Sequence, residues 1–373
     1  MTSVVGIPRE IKKDEDRVAI APSGVHALAA RGHSVLIEKG AGAGSGITDA
    51  EYRHAGGTIV DRAGDVYGSS DIVAKVKEPL PEEYDLIRRE QILFTFFHFA
   101  ASRELTGAMI ASGATCIAYE TLRDRQGKLP LLTPMSEVAG RMAVLEGAKC
   151  LERPSGGRGV LISGVPGVEP AKVVILGGGV VGINAAQLAA GVGAQVTIFD
   201  VNSERLRYLH DVLPPNVITL YSNPFMIRKK VTQADLVIGA VLVAGAKAPV
   251  LVSREDVRHM KDGSVIIDVA VDQGGCIETC RPTTHSNPTF VEEGVVHYCV
   301  ANMPGAVART STFALTNATL PYLTVLADGG VKAFLALGPE TAQGLNIHHG
   351  RICHAGVAQA FDLPLSVLTE VVA

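Results

Sequence analysis

The sequence predicts an α/β protein with doubly wound, mostly parallel sheets. An apolar, β-branched run at 173–176 stops at a glycine triplet, and a helix-forming run and a second strand follow it. Strand-like and helix-like runs keep alternating along the rest of the chain, as they do in parallel α/β folds. The length of 373 residues favours two domains.

The glycine triplet belongs to a dinucleotide-binding pattern. Gly177, Gly179 and Gly182 give G-x-G-x-x-G, and the second strand ends in Asp200. The first glycine allows a tight turn, the second lets the backbone approach a pyrophosphate, and the third lets the helix pack closely on the strand. The acid is expected to accept hydrogen bonds from the adenosine ribose hydroxyls, which favours NAD over NADP.

A membrane-spanning segment is the alternative for this stretch, because 173–199 carries no charged residue and is long enough to cross a bilayer. The glycines and the polar residues Asn184, Gln187 and Gln195 argue against it. Strands of a parallel sheet are covered on both faces and therefore look hydrophobic throughout. The stretch is predicted to be part of a soluble nucleotide fold.

Composition excludes several classes of protein. Apolar residues make up 47% and charged residues 19% of the chain, so large cores are expected. The net charge of −4 gives no reason to expect a nucleic-acid or membrane partner. The N-terminus lacks a signal-peptide core, and the six cysteines are scattered without zinc spacing. We therefore expect free thiols in a cytoplasmic protein with no metal site.

Polar side chains recur where strand-like runs end. Lys77, His98, Asp200, Asp272 and Asn302 each fall at the carboxyl end of such a run. Ligands of open α/β sheets bind outside those ends, so the five residues predict a cleft lined from both halves of the chain. From position alone, a structural role for the histidine is an equally good interpretation.

Arg17 differs from the charge cluster before it, which would pass as a solvated loop, because it directly abuts an apolar strand-like run that ends at Pro22. A surface ion pair is the alternative interpretation. Ser23 is expected to cap a helix over 24–31, and Pro134 to open a long helix that ends near 153. Helical segments at 314–326 and 331–337 are expected to pack back on the N-terminal half.

These residues together resemble the alanine dehydrogenase/pyridine nucleotide transhydrogenase family. The resemblance lies in 6–10 and 17–19, 75–79, 94–98, 134–141, the glycine motif through Asp200, 271–275 and 300–304, and it extends from about 4 to 325. Two departures are Asp14, where the family usually has Asn, and Ala21, where Ser or Thr is usual.

The resemblance implies two Rossmann-like domains with a cleft between them: 1–130 with 309–373 as the catalytic domain and 131–308 as the NAD-binding domain. It implies reversible oxidative deamination of L-alanine to pyruvate and ammonia by a homohexamer. Arg17 and Lys77 would hold the substrate, His98 would be the acid and base, and Asp272 would handle water and ammonia. Cofactor contacts are expected at Ser136, Gly177, Gly179, Gly182, Asp200, Arg205, Ser222, Val241, Leu242, Val269, Asp272, Arg281 and Asn302.

Three other functions are compatible with a nucleotide fold. The NAD-binding component of a proton-translocating transhydrogenase has an Arg/Gln/Asp loop where this chain has 135–138, Met-Ser-Glu-Val. A saccharopine-type dehydrogenase is a more distant enzyme alternative. A non-catalytic NAD sensor would not need a histidine, an aspartate and two cations at one cleft. Oxidation of alanine with formation of NADH separates the dehydrogenase from all three.

Overall fold

The computed structural model describes residues 2–241, 248–271 and 274–366. The chain divides into two compact units, Met1–Met135 with Gly305–Ala373 (unit 1) and Ser136–Pro304 (unit 2). The boundaries therefore lie at 135/136 and 304/305, where the sequence predicts 130/131 and 308/309. The C-terminal tail belongs to the same unit as the N-terminal stretch.

The strands are short. They are Val4–Ile7 (β1), Ser34–Glu38 (β2), Thr58–Val60 (β3), Ile72–Ala74 (β4), Ile92–Thr95 (β5), Thr115–Ala118 (β6), Lys172–Leu176 (β7), Gln195–Asp200 (β8), Val217–Tyr221 (β9), Leu236–Gly239 (β10), Val265–Asp268 (β11), Thr289–Glu292 (β12), Val295–Tyr298 (β13), Leu345–His348 (β14) and Arg351–Ile352 (β15).

Helices connect most of these strands. They are Pro22–Ala30 (α1), Asp49–His54 (α2), Ala63–Ser69 (α3), Pro81–Tyr84 (α4), Arg103–Ser112 (α5), Thr133–Cys150 (α6), Val180–Gly191 (α7), Ser203–Val212 (α8), Pro224–Val231 (α9), Arg254–Arg258 (α10), Ala308–Leu335 (α11), Pro339–Ala342 (α12) and Ala355–Phe361 (α13).

Each unit is organised around one sheet. Within the described residues, the unit 1 sheet has the order β15-β14-β6-β5-β4-β1-β2-β3, with β1 to β6 parallel and β14 antiparallel to both of its neighbours, β6 and β15. The unit 2 sheet has the order β12-β13-β11-β10-β7-β8-β9, and only β12 is antiparallel. Both contain the 3-2-1-4-5-6 order of a doubly wound nucleotide fold, so the predicted fold class is confirmed.

Apolar cores cover both faces of these sheets. On β7, Val173 and Ile175 belong to one buried cluster, whereas Val174 and Leu176 belong to another. This two-sided burial explains the uninterrupted apolar run that a membrane segment would also show. Among the described residues, none of the helices combines the length and apolar character needed to cross a bilayer. All six cysteines are free thiols, four of them buried.

Two local predictions need correction. Helix α1 begins at Pro22, so Ser23 lies inside it, and Ala21 is the N-cap without a side-chain hydrogen bond. Proline suits the first helical position because its φ is preset and it has no N–H to satisfy. The two helical segments predicted at 314–326 and 331–337 belong to one element, α11, which kinks at Gly330, where φ is 62° and ψ is −158°.

Candidate functional site

The glycine motif forms a loop with room for a phosphate group. Gly177 has φ of 104°, a left-handed value that favours glycine. A Cβ on Gly182 would lie 1.9 Å from the Gly177 carbonyl oxygen, whereas one on Gly179 would meet no atom within 4 Å. Helix α7 begins directly after Gly179 and has no side-chain cap. The loop therefore offers open space beside an uncapped helix N-terminus, where an anion is stabilised.

Asp200 ends β8 and is bonded to this loop. Its Oδ2 accepts from the Gly178 N–H at 2.8 Å, and its Oδ1 accepts from the Asn202 N–H at 2.8 Å. Arg205 Nε donates to the Gly178 carbonyl at 2.5 Å, and the Ser222 N–H donates to the Asp200 carbonyl at 2.9 Å. Asp200 and Arg205 thus both bond to Gly178, the second residue of the motif, and Ser222 bonds to Asp200.

The next strand ends supply two more of the predicted contacts. Val241 follows β10, and a Cβ on Gly177 would lie 3.1 Å from its Cγ2. Val269 follows β11, and its N–H donates to the Gly239 carbonyl at 2.9 Å. Leu242 and Asp272, which the sequence analysis also assigns to the site, lie outside the described residues.

Three further cofactor contacts predicted in unit 2 each lie in a separate local environment: Arg281, Asn302 and Ser136. The Arg281 guanidinium carbon lies 4.4 Å from the centre of the Phe290 ring. Phe290 is on β12, and three strands (β13, β11 and β10) lie between β12 and β7, the strand that precedes the glycine loop. Asn302 has a left-handed φ of 68°, and His285 Nε2 lies 3.2 Å from its carbonyl oxygen. Ser136 is half-buried in the first turn of α6. These three remain predictions from the resemblance.

Asp268 is not among the site residues that the sequence predicts. It is fully buried at the end of β11, where its Oδ2 accepts from the Cys276 N–H at 2.8 Å and its Oδ1 from the Ala270 N–H at 3.1 Å. These bonds fix both sides of the segment that carries Asp272. The sequence does contain a signal for this residue, because Asp268 is an acid inside the otherwise apolar run 265–269.

Arg17 is buried, with 2% of its surface exposed, so the surface ion-pair interpretation is wrong. Glu15 accepts from Arg17 Nε at 2.6 Å and from Nη2 at 2.5 Å, and Arg17 Nη1 lies 3.0 Å from Met135 Sδ. Burial alone would raise the pKa of Glu15, but Arg17 and Lys77 hold it below its usual range. The guanidinium fork is therefore engaged by a carboxylate of the protein itself.

Lys77 and Lys75 have different environments although they are two residues apart. Strand β4 ends at Ala74, so Lys77 lies in the segment beyond it, half-buried. Burial and the charge of Arg17 lower the pKa of Lys77, against the opposing charge of Glu15. Lys75 is buried and pairs with Glu83 at 2.8 Å and Glu10 at 3.3 Å. Lys77 is therefore the lysine that shares an electrostatic environment with Arg17.

His98 is exposed and lies three residues beyond the end of β5, in a left-handed conformation with φ of 53°. Its backbone N–H donates to Glu120 Oε1 at 2.6 Å, and its ring is parallel to that of Phe96 at 5.9 Å. Lys77 follows β4, the neighbouring strand, and the Thr95 hydroxyl donates to the Lys77 carbonyl at 2.9 Å. Unit 1 thus brings Lys77 and His98 to the same edge of its sheet, beside β1, whose following segment carries Arg17.

The backbone conformation of residue 14 explains why Asp can stand where the family usually has Asn. Asp14 has φ of 60°, in the left-handed region. Asn and Asp both tolerate this conformation because their short polar side chains can bond locally, so the exchange preserves the loop. Within the described part of the chain, no group of three His, Cys, Asp or Glu side chains is arranged to hold a metal ion.

Comparison with known proteins gives matches over nearly the whole chain. Residues 6–139 match the family model "Alanine dehydrogenase/PNT, N-terminal domain", and 143–355 match its C-terminal domain. Alanine dehydrogenase of Methanococcus maripaludis is 55% identical, covering 97% of each chain. That of Mycobacterium tuberculosis is 53% identical, covering 99% of this chain and 100% of its own.

Two solved structures separate the alternatives. An L-alanine dehydrogenase structure is 54% identical with a TM-score of 0.93, covering 96% of this chain and 99% of its own. A transhydrogenase from Sinorhizobium meliloti is 26% identical with a TM-score of 0.81, covering 94% and 99%. Both are similar in fold, and sequence identity is twofold higher to the first.

Proposed function

The chain belongs to the alanine dehydrogenase/PNT family, and from this membership we propose that it is an NAD-dependent L-alanine dehydrogenase. The reaction is the reversible oxidative deamination of L-alanine to pyruvate and ammonia. The observation that carries the proposal is the group formed by Arg17, Lys77 and His98 in unit 1. A transhydrogenase component that exchanges hydride between nucleotides has no need of two cations and a histidine for a small carboxylate. The higher identity to alanine dehydrogenases also favours this function over the alternative.

Arg17 and Lys77 would bind the substrate carboxylate and carbonyl. Glu15 accepts from two donors of the guanidinium, which fixes the orientation of the group before the substrate binds. Fixing the guanidinium in advance lowers the conformational entropy lost on binding. A lysine whose pKa is lowered by burial holds its ammonium in a poorly solvated environment, where its interaction with a carboxylate or carbonyl is strengthened.

His98 would transfer the protons of the substrate's nitrogen and oxygen, since a histidine exchanges protons near neutral pH. Addition of water and loss of ammonia both move protons, and Asp272 is the second group that the resemblance assigns to them. Asp268 would hold the segment bearing Asp272 through its bonds to Ala270 and Cys276.

The glycine loop has the features that NAD requires: open space at Gly179, close packing at Gly182 and an uncapped helix. Gly177, Gly179 and the start of α7 would hold the pyrophosphate, and Asp200 the adenosine ribose. When bound, NAD supplies the hydride acceptor of the oxidation. Asp200 ends its strand as an acid bonded to the loop, which supports a preference for NAD over NADP.

Further parts of the proposal concern assembly and location. We expect a cytoplasmic homohexamer that acts on small molecules and binds neither nucleic acid nor membrane. The support is the family resemblance, the near-neutral charge and the free thiols, which suit a reducing compartment. Light scattering coupled to size exclusion measures the assembly, and a mass of six chains is the expected result.

The reductive direction tests the proposed function. Purified protein is given pyruvate, ammonium and NADH, and the product is identified by chiral chromatography. L-alanine should form only when all three are present. Oxidation of NADH by an oxidised nucleotide analogue without pyruvate and ammonium would favour the transhydrogenase function instead.

A further inference from the structure

Glu120 accepts two consecutive backbone N–H groups of the segment that carries His98. The His98 N–H lies 2.6 Å from Glu120 Oε1, and the Phe97 N–H lies 3.3 Å from both carboxylate oxygens. Glu120 follows β6, the strand next to β5, so the two ends of neighbouring strands are tied together. Within the described part of the chain, this carboxylate has these two amides as partners and no salt bridge.

The tie acts on a conformation that is unfavourable by itself. His98 has φ of 53° and ψ of 41°, a left-handed conformation in which a residue other than glycine is strained. Hydrogen bonds to an ionised carboxylate are shorter and stronger than neutral ones. Two such bonds on successive residues therefore offset the strain and fix the direction in which the His98 side chain leaves the backbone.

We infer that Glu120 is the positioning residue for His98: its carboxylate holds the 97–98 backbone so that the imidazole stays in one place relative to the substrate-binding residues. The inference rests on the proposed function, because it requires His98 to transfer protons. Both carboxylate oxygens already face backbone amides, so Glu120 acts through His98 rather than on the substrate. The Phe96 ring, parallel to the imidazole, limits its movement on one side.

A double-mutant cycle tests this role in the full-length protein. The variants are Glu120→Ala, Glu120→Gln, His98→Ala and Glu120→Ala with His98→Ala, measured for kcat, pyruvate KM, NADH Kd and Tm. Glu120→Ala should lower kcat by about 10- to 100-fold, the loss expected when a reacting group is misplaced by about 1 Å. Pyruvate KM and NADH Kd should change by less than about threefold. Glu120→Gln keeps one acceptor oxygen, so its kcat should fall less than that of Glu120→Ala.

His98→Ala alone should lower kcat by about 100-fold or more. Adding Glu120→Ala to it should cause no further loss, because the group being positioned is already gone. Glu51→Ala is the matched control: Glu51 also accepts a backbone N–H, that of Thr48 at 2.7 Å, but caps α2. It should lower Tm and leave kcat unchanged.

Two results would overturn the inference while leaving the proposed function intact. One is an equal loss of kcat from Glu120→Ala in the wild-type and His98→Ala backgrounds. The other is a lower Tm with unchanged kcat, which is the behaviour of a purely structural residue. If Glu120→Ala does not fold, the cycle is run with Glu120→Gln and read in the same way. Near wild-type kcat in His98→Ala would instead overturn the role of His98 and the inference with it.

Discussion

Glu15 and Arg17 form a buried pair in which two side-chain hydrogen bonds, 2.6 and 2.5 Å long, join the carboxylate to the guanidinium. Glu15 is 6% exposed and Arg17 2% exposed. The two residues lie two positions apart in sequence, but their shared burial is produced by the packing of the whole unit. This pair sets the orientation of a cation that we propose to bind the substrate.

Breaking the pair should destabilise the protein strongly. Glu15→Ala leaves the Arg17 charge buried without its carboxylate, and such a loss typically costs about 3–5 kcal/mol of unfolding free energy. Urea denaturation measures it. Asp65→Ala is the control, because it breaks an exposed pair with Arg62 and should cost about 0–1 kcal/mol. Equal effects of the two variants would show that the buried pair is not a structural determinant.

Two glycines of the nucleotide loop should separate folding from cofactor binding. Gly179→Ala adds a Cβ in open space and should leave Tm unchanged while weakening NAD binding by about tenfold or more, since the Cβ occupies the space needed by the pyrophosphate. Gly182→Ala places a Cβ 1.9 Å from the Gly177 oxygen and should cost about 1–3 kcal/mol of stability or more.

Calorimetry for NAD and thermal denaturation give the two readouts. Gly191→Ala is the control within α7, where an added Cβ meets no atom within 4 Å, so NAD binding should be unchanged. Tight NAD binding by Gly179→Ala would contradict the placement of the pyrophosphate at this loop.

Asp200 should control the choice of cofactor. A carboxylate repels the 2′-phosphate of NADP, so we expect kcat/KM to be higher with NAD than with NADP, by a ratio that corresponds to a few kcal/mol, the cost of leaving a charged group unpaired. Asp200→Ala should reduce the difference in kcat/KM between NAD and NADP, because Arg205 remains beside the loop to attract the 2′-phosphate. Asp200→Asn removes the charge but keeps an oxygen that can accept the hydrogen bond from the Gly178 N–H. It therefore distinguishes the effect of the charge from the effect of this hydrogen bond. Equal use of both cofactors by the wild type would contradict this assignment.

His348 should make the protein less stable in acid. Burial and the charge of His349 lower its pKa to about 4, whereas an unfolded histidine titrates near 6.5. The unfolded state therefore binds more protons between these values, and stability is lost as the pH falls from about 6.5 to about 4, by at most about 3 kcal/mol.

Urea denaturation at pH 7 and pH 4.5 measures this loss. His348→Asn should reduce the difference between the two pH values, because Asn does not titrate and can still bond to Thr115. His54→Asn, at an exposed position at the end of α2, should leave the difference unchanged. An unaltered difference in His348→Asn would exclude this histidine as its source.

The local structure of the glycine loop could be predicted because its signals are local. Gly177, Gly182 and Asp200 lie within one strand–loop–helix–strand unit, so a short stretch of sequence contains the left-handed turn, the close approach and the charge together. Strand burial on both faces also follows from the apolar run itself. These features need no knowledge of the rest of the chain.

The carboxylates that hold the functional residues could not be predicted in this way. Glu120 meets His98 only because β5 and β6 are neighbours, and Asp268 meets Cys276 only through the turn after β11. Glu15 was visible as one charge in a cluster, and its burial depends on tertiary packing. The helix start at Pro22 rather than after Ser23 is a smaller case, in which two plausible capping signals compete.

The most direct measurement is the reaction of the purified protein with L-alanine and NAD, followed by absorbance of NADH and by assays of pyruvate and ammonia. The three products should form in a 1:1:1 ratio, D-alanine should not replace L-alanine, and NADP should be a poor substitute for NAD. No alanine-dependent NADH, together with reduction of a nicotinamide nucleotide analogue by NADH, would contradict the proposed dehydrogenase activity.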